Sequence, residues 1–346
     1  MRVLVTGGLG FIGCNVASRL LHEGHEVVIF DNASRAGVLS NLEWLCAQHP
    51  GRVDWVNEDI RDAAAVSRAM RRAGMVFHFA AQVAVTTSVA DPRTDFEVNA
   101  LGTVNVLEAA RKLSPMPCVL YTSTNKVYGD LEGVRVEEAG TRYQLLDFTL
   151  GIPETFPLDF HSPYGCSKGA ADQYVRDYHR IYGLPAIVFR MSCIYGLRQM
   201  GTEDQGWVAH LARTALQGGE IRIFGDGKQV RDLLYIEDLI HAMMSAVRRV
   251  DRTAGQVYNL GGGPAHTLSV WMELREYLQD LMGSVPEAKF GPWRPGDQRI
   301  FVTDTRKAQR DLDWTPKVTV AEGLQRMIED WKLRGVVAVA ASAPKA

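Results

Sequence analysis

Tyr164 and Lys168 stand four residues apart in Tyr164-Gly165-Cys166-Ser167-Lys168 and have complementary chemistry. Pro163, just before them, suits the first turn of a helix, and positions i and i+4 share one helical face. A free phenol titrates near pH ~10. A neighbouring ammonium favours the phenolate, so the pair reads as a tyrosine acid/base whose pKa the lysine lowers. Thr124, in Thr122-Ser123-Thr124-Asn125, can hold a reacting hydroxyl by hydrogen bonding. Tyr-x-x-x-Lys alone also describes an exposed helical pair worth about 0.2–0.5 kcal/mol. A cofactor site elsewhere in the chain gives it a use.

That site begins at Gly7-Gly8-Leu9-Gly10-Phe11-Ile12-Gly13, between a strand-like run and a helical one. Without Cβ atoms the backbone can turn sharply and approach a pyrophosphate, while the helix N-terminus offers unpaired N–H groups. Asp31, at the end of the second strand, can accept hydrogen bonds from both hydroxyls of an adenosine ribose. Its charge repels a 2′-phosphate, which favours NAD over NADP. Arg35 is the contrary signal, either neutralising such a phosphate or serving as a solvated cation. Asp59 reads as an adenine contact or a helix N-cap. Phe79-Ala80-Ala81 would let a cofactor lie close to the backbone, or simply packs a helix on the sheet.

The elements that position these groups are legible as alternation. Short apolar runs at residues 2–6, 26–30, 53–56, 75–79, 119–123 and 186–190 are separated by helical patterns, and a seventh, 256–260, returns to the same sheet. Such alternation implies a parallel sheet with helical crossovers. The expected fold is α/β: a Rossmann-type doubly wound parallel sheet of about seven strands with a smaller, discontinuous α+β substrate lobe. The sequence assigns residues 1–193 plus about 229–260 to the nucleotide-binding domain, about 194–228 and 261–333 to the lobe, and 334–346 to a flexible, alanine-rich tail.

Composition bounds the function. The 346 residues carry 38 basic and 40 acidic side chains, a formal net charge of −2, so no basic excess recommends a nucleic-acid partner. No apolar stretch approaches the roughly 20 residues that span a bilayer, and the first strand leaves no room for a signal peptide. A cytoplasmic protein without membrane partners is expected. Cys14, Cys46, Cys118, Cys166 and Cys193 are odd in number and never spaced Cys-x-x-Cys, so they read as buried small hydrophobes in a reducing compartment. No histidine shows ligand spacing, and no metal is expected.

These motifs together resemble the extended short-chain dehydrogenase/reductase family over residues 1–333. The resemblance implies NAD as cofactor, Tyr164 as acid/base, Lys168 on the tyrosine and the nicotinamide ribose, and Thr124 as orienter of the substrate. It extends the cofactor set from Gly7, Gly10, Gly13 and Asp31 to Phe11, Ile12, Asn32, Ser34, Arg35, Asp59, Ile60, Phe79, Ala80, Ala81, Gln82, Asn99 and Thr122. Asn99 would support the site geometry or cap a helix. Family members usually pair through helices like those after Gly102 and Pro163, which implies a homo-oligomer.

Dehydratases of the family carry an Asp-Glu pair where this chain has Asn125-Lys126. An amide cannot exchange a catalytic proton, and Lys126 is a poor substitute for a carboxylate base, so dehydration is disfavoured. Hydride chemistry without elimination remains. The runs 123–130, 159–174, 204–208 and 227–232 resemble the family's group of CDP-paratose (CDP-tyvelose) 2-epimerases. That resemblance implies a nucleotide-sugar substrate, a CDP-hexose, oxidised and re-reduced at C2. It places Thr124, Asn125, Gln205, Gly206, Trp207 and Val208 against base or sugar, Trp207 having core packing as its alternative. Arg231 and Arg299 would clamp the pyrophosphate or form surface ion pairs. His161 would orient its loop. A UDP-sugar 4-epimerase and a catalytically silent dinucleotide sensor are the competing readings.

Overall fold

Seven short runs of apolar and β-branched residues pair side by side in the computed structural model, which describes residues 1–294 and 297–336. They are β1 (Arg2–Thr6), β2 (Glu26–Phe30), β3 (Val53–Val56), β4 (Met75–His78), β5 (Cys118–Thr124), β6 (Ala186–Met191) and β7 (Val257–Leu260). The order across the sheet is β7-β6-β5-β4-β1-β2-β3, and every neighbouring pair is parallel. The direction of winding reverses between β1 and β4. Their carboxyl ends therefore flank the crevice in which sheets of this kind bind ligands.

A two-residue period sorts the strands onto two faces. Val3, Val5, Val27, Ile29, Phe77, Leu120 and Phe189 face one core, which takes Cys14, Val16, Ala17, Leu20 and Leu21 of α1 (Phe11–His22). Leu4, Val28, Phe30, Val76, Val119, Tyr121 and Val188 face the other. There they meet α2 (Ala63–Met70), α3 (Gly102–Ala110) and α4 (Ser162–Tyr182). Fully burying each large apolar side chain contributes about 1.5–3 kcal/mol, so the two cores hold the strand ends, and the loops on them, rigidly.

The remaining strands form smaller sheets. Val230–Tyr235 pairs in parallel with Cys193–Tyr195 and Ile300–Phe301 and antiparallel with Thr267–Ser269. Ile221–Phe224 pairs with Ala288–Gly291, and Val136–Ala139 with Arg142–Leu145. Of the segment 229–260, β7 joins the seven-stranded sheet and α5 (Ile236–Arg248) packs in the α1 core, whereas Val230–Tyr235 lies in the mixed sheet. The hydrophobic run of that strand is the same in either sheet, so its pattern could not separate them.

Cys46 and Cys166 are exposed, which corrects their reading as buried hydrophobes; Cys14 and Cys118 are buried. Of the tail expected from residue 334, Arg334 and Val336 donate backbone bonds to Asp330 and Trp331 of the last helix, Val320–Leu333. Residues 337–346 lie outside the described residues. Among those described, no helix is long and apolar enough to cross a membrane.

Candidate active site

The glycine turn follows β1 at the crevice. Gly7 has φ +67°, and a Cβ there would lie 2.6 Å from the Ala80 amide nitrogen after β4. A Cβ on Gly13 would lie 2.2 Å from the Gly7 carbonyl oxygen, so only glycine lets α1 abut the turn. Gly10 is the N-cap of α1 and brings no side-chain cap. Phe11 and Ile12 are the first residues of that helix, whose N–H groups point into the turn.

Both Asp31 oxygens are held by backbone, from Leu9 N (3.0 Å) and Ala33 N (2.9 Å), and burial raises the carboxyl above its ordinary value. Asn32 donates to Asp59 (3.1 Å) and accepts from Ser34 N (3.2 Å). Asp59 is gripped by Arg61, which lowers its pKa. The N-cap of α2 is Asp62, so the capping alternative for Asp59 fails. Ile60 is buried in the second core. Arg35 donates to Gln205 across the crevice at 2.7 Å.

Thr124 ends β5, and Tyr164 lies in the first turn of α4, its backbone N–H bonded to Ser88 Oγ at 3.1 Å. The Thr124 hydroxyl acts on the phenol, favouring its ionised form. Lys168 Nζ donates to the Thr122 carbonyl at 2.6 Å and sits 4.3 Å from the Tyr121 ring centroid. Burial pulls this ammonium down to about 7, opposed by Asp172 and Asp95. Burial pushes Tyr164 up to about 12, opposed by the Thr124 hydrogen bond and reinforced by Asp95. The expected lowering by Lys168 is not what governs the phenol. Desolvation dominates, and the ammonium is engaged by a carbonyl.

A polar network braces α4. Asn99 Oδ1 accepts from Gln82 N (2.9 Å), and its Nδ2 reaches the Gln82 carbonyl (3.0 Å), Ser167 Oγ (3.0 Å) and Asp95 Oδ1 (3.1 Å). Ser167 donates to Asp95 at 2.5 Å. Asn99 lies in the π-helical turn Glu97–Leu101 and caps no helix. Asp95 and Ser167 were missed by sequence reasoning; Asp95 stands four residues before Asn99 and Ser167 immediately before Lys168, and those spacings were the available signal. Behind Asn99, Thr103 donates to its carbonyl (2.6 Å), His78 bridges Thr103 (2.9 Å) and Thr6 (2.6 Å), and burial pulls that histidine down to about 3. His78 is thus a neutral structural link. Phe79 N bonds the Thr6 carbonyl, and Ala80 and Ala81 continue that backbone past Gly7.

Asn125 Nδ2 donates to Gln298 Oε1 at 3.3 Å, and Thr124 Oγ1 lies 3.4 Å from Asn125 Oδ1. Burial, helped by Arg231, pulls Lys126 down to about 8. Arg231 is 8% exposed and donates to the carbonyls of Val230 (2.8 Å) and Gln298 (2.7 Å), 3.7 Å from Asp297. Arg299 is exposed and stacks over Tyr143, so the two guanidiniums are engaged separately. Arg294 is a cation the sequence did not single out: it pairs with Glu203 at 3.0 Å and lies 3.7 Å from the Phe224 ring centroid. Gly206 (φ +77°) caps the helix Trp207–Leu216. Trp207 is half-buried and donates to Cys193 Sγ at 3.3 Å. Val208 is 2% exposed in the core, so only its backbone can meet a ligand. His161 lies between Asp130 (3.1 Å) and Asp159 (2.8 Å).

Residues 4–327 match the family model described as GDP-mannose 4,6 dehydratase. The chain belongs to the NAD-dependent epimerase/dehydratase family, the extended short-chain dehydrogenase/reductases. Among its relatives in this nucleotide-sugar enzyme family, the CDP-paratose 2-epimerase of Salmonella typhi is 44% identical over 338 residues, 96% of this chain and 99% of the relative. The UDP-glucose 4-epimerase of Thermotoga maritima, solved with UDP-glucose, has a TM-score of 0.83 and 32% identity, covering 96% of this chain and 99% of that one. The UDP-glucose 4-epimerase of Thermus thermophilus, solved in complex with NAD, has a TM-score of 0.80 and 34% identity, covering 97% and 100%. The glycine turn of this family member fits a dinucleotide: a Cβ would fill the space at Gly7 and Gly13, the N-terminus of α1 is uncapped, and Asp31 stands beyond it.

Proposed function

We propose that the protein is an NAD-dependent epimerase of a nucleoside-diphosphate hexose, inverting C2 of a CDP-sugar of the CDP-paratose/CDP-tyvelose type. The observation that carries this reading is the turn after Thr124. It carries an amide at Asn125 and an amine at Lys126, the two residues that follow Thr124, where elimination of water would need a carboxylic acid and base. The full-length similarity to a CDP-paratose 2-epimerase supports the base and the carbon.

A secondary carbinol carbon without an adjacent carbonyl holds its proton too firmly for a side chain to remove. NAD⁺, when bound, supplies a hydride acceptor that makes such a centre invertible. The chain's own groups do the rest. Tyr164 takes the hydroxyl proton as the carbon is oxidised and returns it on reduction, while Thr124 fixes the oxygen. The other face of the ketone has to be presented before reduction, so the sugar must turn while its diphosphate stays held by the cations of the lobe. Gly7, Gly10, Gly13 and the head of α1 would hold the cofactor pyrophosphate, and Asp31 its adenosine ribose. Lys168 and Thr122 would lie at the nicotinamide end. Homo-oligomerisation would use α3 and α4, where Tyr174, Ile181 and Tyr182 of α4 and Leu101, just before α3, are exposed.

The test is incubation with CDP-paratose, CDP-glucose, UDP-glucose and UDP-glucuronate, locating the inverted carbon by NMR. Inversion at C2 of a CDP-sugar, with no solvent deuterium there in D₂O, is expected. The second reading, a UDP-sugar 4-epimerase, is favoured by the solved 4-epimerases that match 96–97% of the chain, and inversion at C4 would establish it.

A further inference from the structure

Thr124 Oγ1 has one proton and two lone pairs, and two hydrogen bonds within the protein settle its direction. It accepts from the Lys126 backbone N–H at 3.2 Å and donates to Asn125 Oδ1 at 3.4 Å, while its hydroxyl also bears on the proton affinity of the Tyr164 phenol. A carbonyl oxygen can only accept, so Asn125 draws the Thr124 proton towards itself and leaves the lone pairs for Tyr164 and Lys126. Rotated by half a turn, the same amide would present Nδ2 instead and release that proton towards the phenol oxygen. Which way round the amide sits therefore decides what Thr124 offers the reacting groups.

The choice is made in the other lobe. Gln298 is 2% exposed, and its Nε2 donates to the Gly129 carbonyl, which can only accept. Its Oε1 is thereby committed to Asn125, where it accepts from Nδ2 at 3.3 Å. Each step forces the next: the Gly129 carbonyl sets Gln298, Gln298 sets Asn125, and Asn125 sets Thr124. Gln298 is anchored besides by its own carbonyl, which accepts from Arg231 at 2.7 Å.

We propose that Gln298 is a positioning residue, whose buried amide fixes the orientation of Asn125 and through it the direction of the Thr124 hydroxyl. This rests on the reading of Tyr164 as the acid/base, but not on which sugar is turned over. In the resting enzyme the Thr124 proton points at Asn125. When the phenol or the sugar oxygen becomes anionic, the Thr124 proton swings to it from the long, weak contact with Asn125.

The test reads Tyr164 alone, with no sugar present: an ultraviolet difference titration of the NAD⁺-loaded enzyme against its Tyr164→Phe counterpart. Asn125→Leu, which frees the Thr124 proton, should increase the ionisation constant of Tyr164 by about fivefold, the size of one neutral hydrogen bond. Asn125→Asp, which holds the proton more tightly and adds charge, should decrease it. Gln298→Met should move it in the same direction as Asn125→Leu, and the double variant should show little further change. Gln298→Glu, which still accepts from Asn125, should not move it that way. A Gln298→Met titration coincident with wild type, or additive effects in the double variant, would overturn the proposal. Should Gln298→Met fail to fold, an increase caused by Gln298→Glu overturns it equally. Absence of turnover with every nucleotide sugar would defeat the functional reading while leaving these titrations intact.

Discussion

Lys168 Nζ lies 2.6 Å from the carbonyl oxygen of Thr122, buried inside the protein, and among the described residues it forms no ion pair. Its folded-state value near 7 is well below the ~10.4 of a solvated lysine. Between the two, the unfolded chain binds more protons, so this group opposes folding below about pH 7 and ceases to do so as the pH rises towards 10. Lys168→Met should therefore raise the thermal midpoint of dinucleotide-free protein at pH 6, with the gain shrinking by pH 9.5. A gain independent of pH would contradict the assigned cause.

Removing the phenolic oxygen leaves the ring's packing but no proton carrier. Tyr164→Phe should lower turnover by about 10²- to 10⁴-fold while retaining NAD, checked by the nucleotide content of the purified protein. Near-normal turnover would take Tyr164 out of the chemistry.

Gly13→Ala places a methyl group 2.2 Å from the Gly7 carbonyl oxygen, a backbone atom that cannot yield without moving the turn. Overpacking of this kind costs about 1–3 kcal/mol. Denaturant titration should show that loss together with reduced NAD binding. Unchanged stability would mean that the turn is looser than its geometry indicates.

Arg35 is tied to Gln205 rather than presented to a ribose phosphate, and Asp31 adds a negative charge. Competitive binding should show NAD⁺ bound more tightly than NADP⁺. Gln205→Ala, which releases Arg35, should narrow the gap, and Asp31→Ala should narrow it further. Preference for NADP⁺ in the wild type would refute this use of Asp31.

The sheet was legible because its seven strands carry their own hydrophobic signal, and the positions of Gly7, Asp31, Thr124 and Tyr164 follow once those strands are parallel. The network around Asn99 was half legible. Asn99 was singled out, but Asp95 and Ser167 act through contacts that form only when α4 lies against the π-helical turn. Gln298 could not be found at all, since its partner Asn125 is 173 residues away and its importance depends on which end of an amide faces Gly129. The electrostatics misled for a related reason. Spacing places Lys168 near Tyr164, but burial, which spacing does not report, sets the proton affinity of both.

Arg190 of β6 grips Asp172 of α4 with two bonds, 2.8 and 2.9 Å, and reaches the Tyr128 hydroxyl at 3.1 Å. Tyr128 in turn donates to Asn259 of β7 at 2.7 Å, and Asn259 reaches the carbonyl of Ile152, which pairs with Thr303. Charge and hydrogen bonds shielded from water thus tie β6, β7 and α4 to the turn after β5 and to Ile152. At the mouth of the crevice the Arg35–Gln205 bond is exposed and costs little to break, so a ligand entering there would leave the alignment of this floor intact.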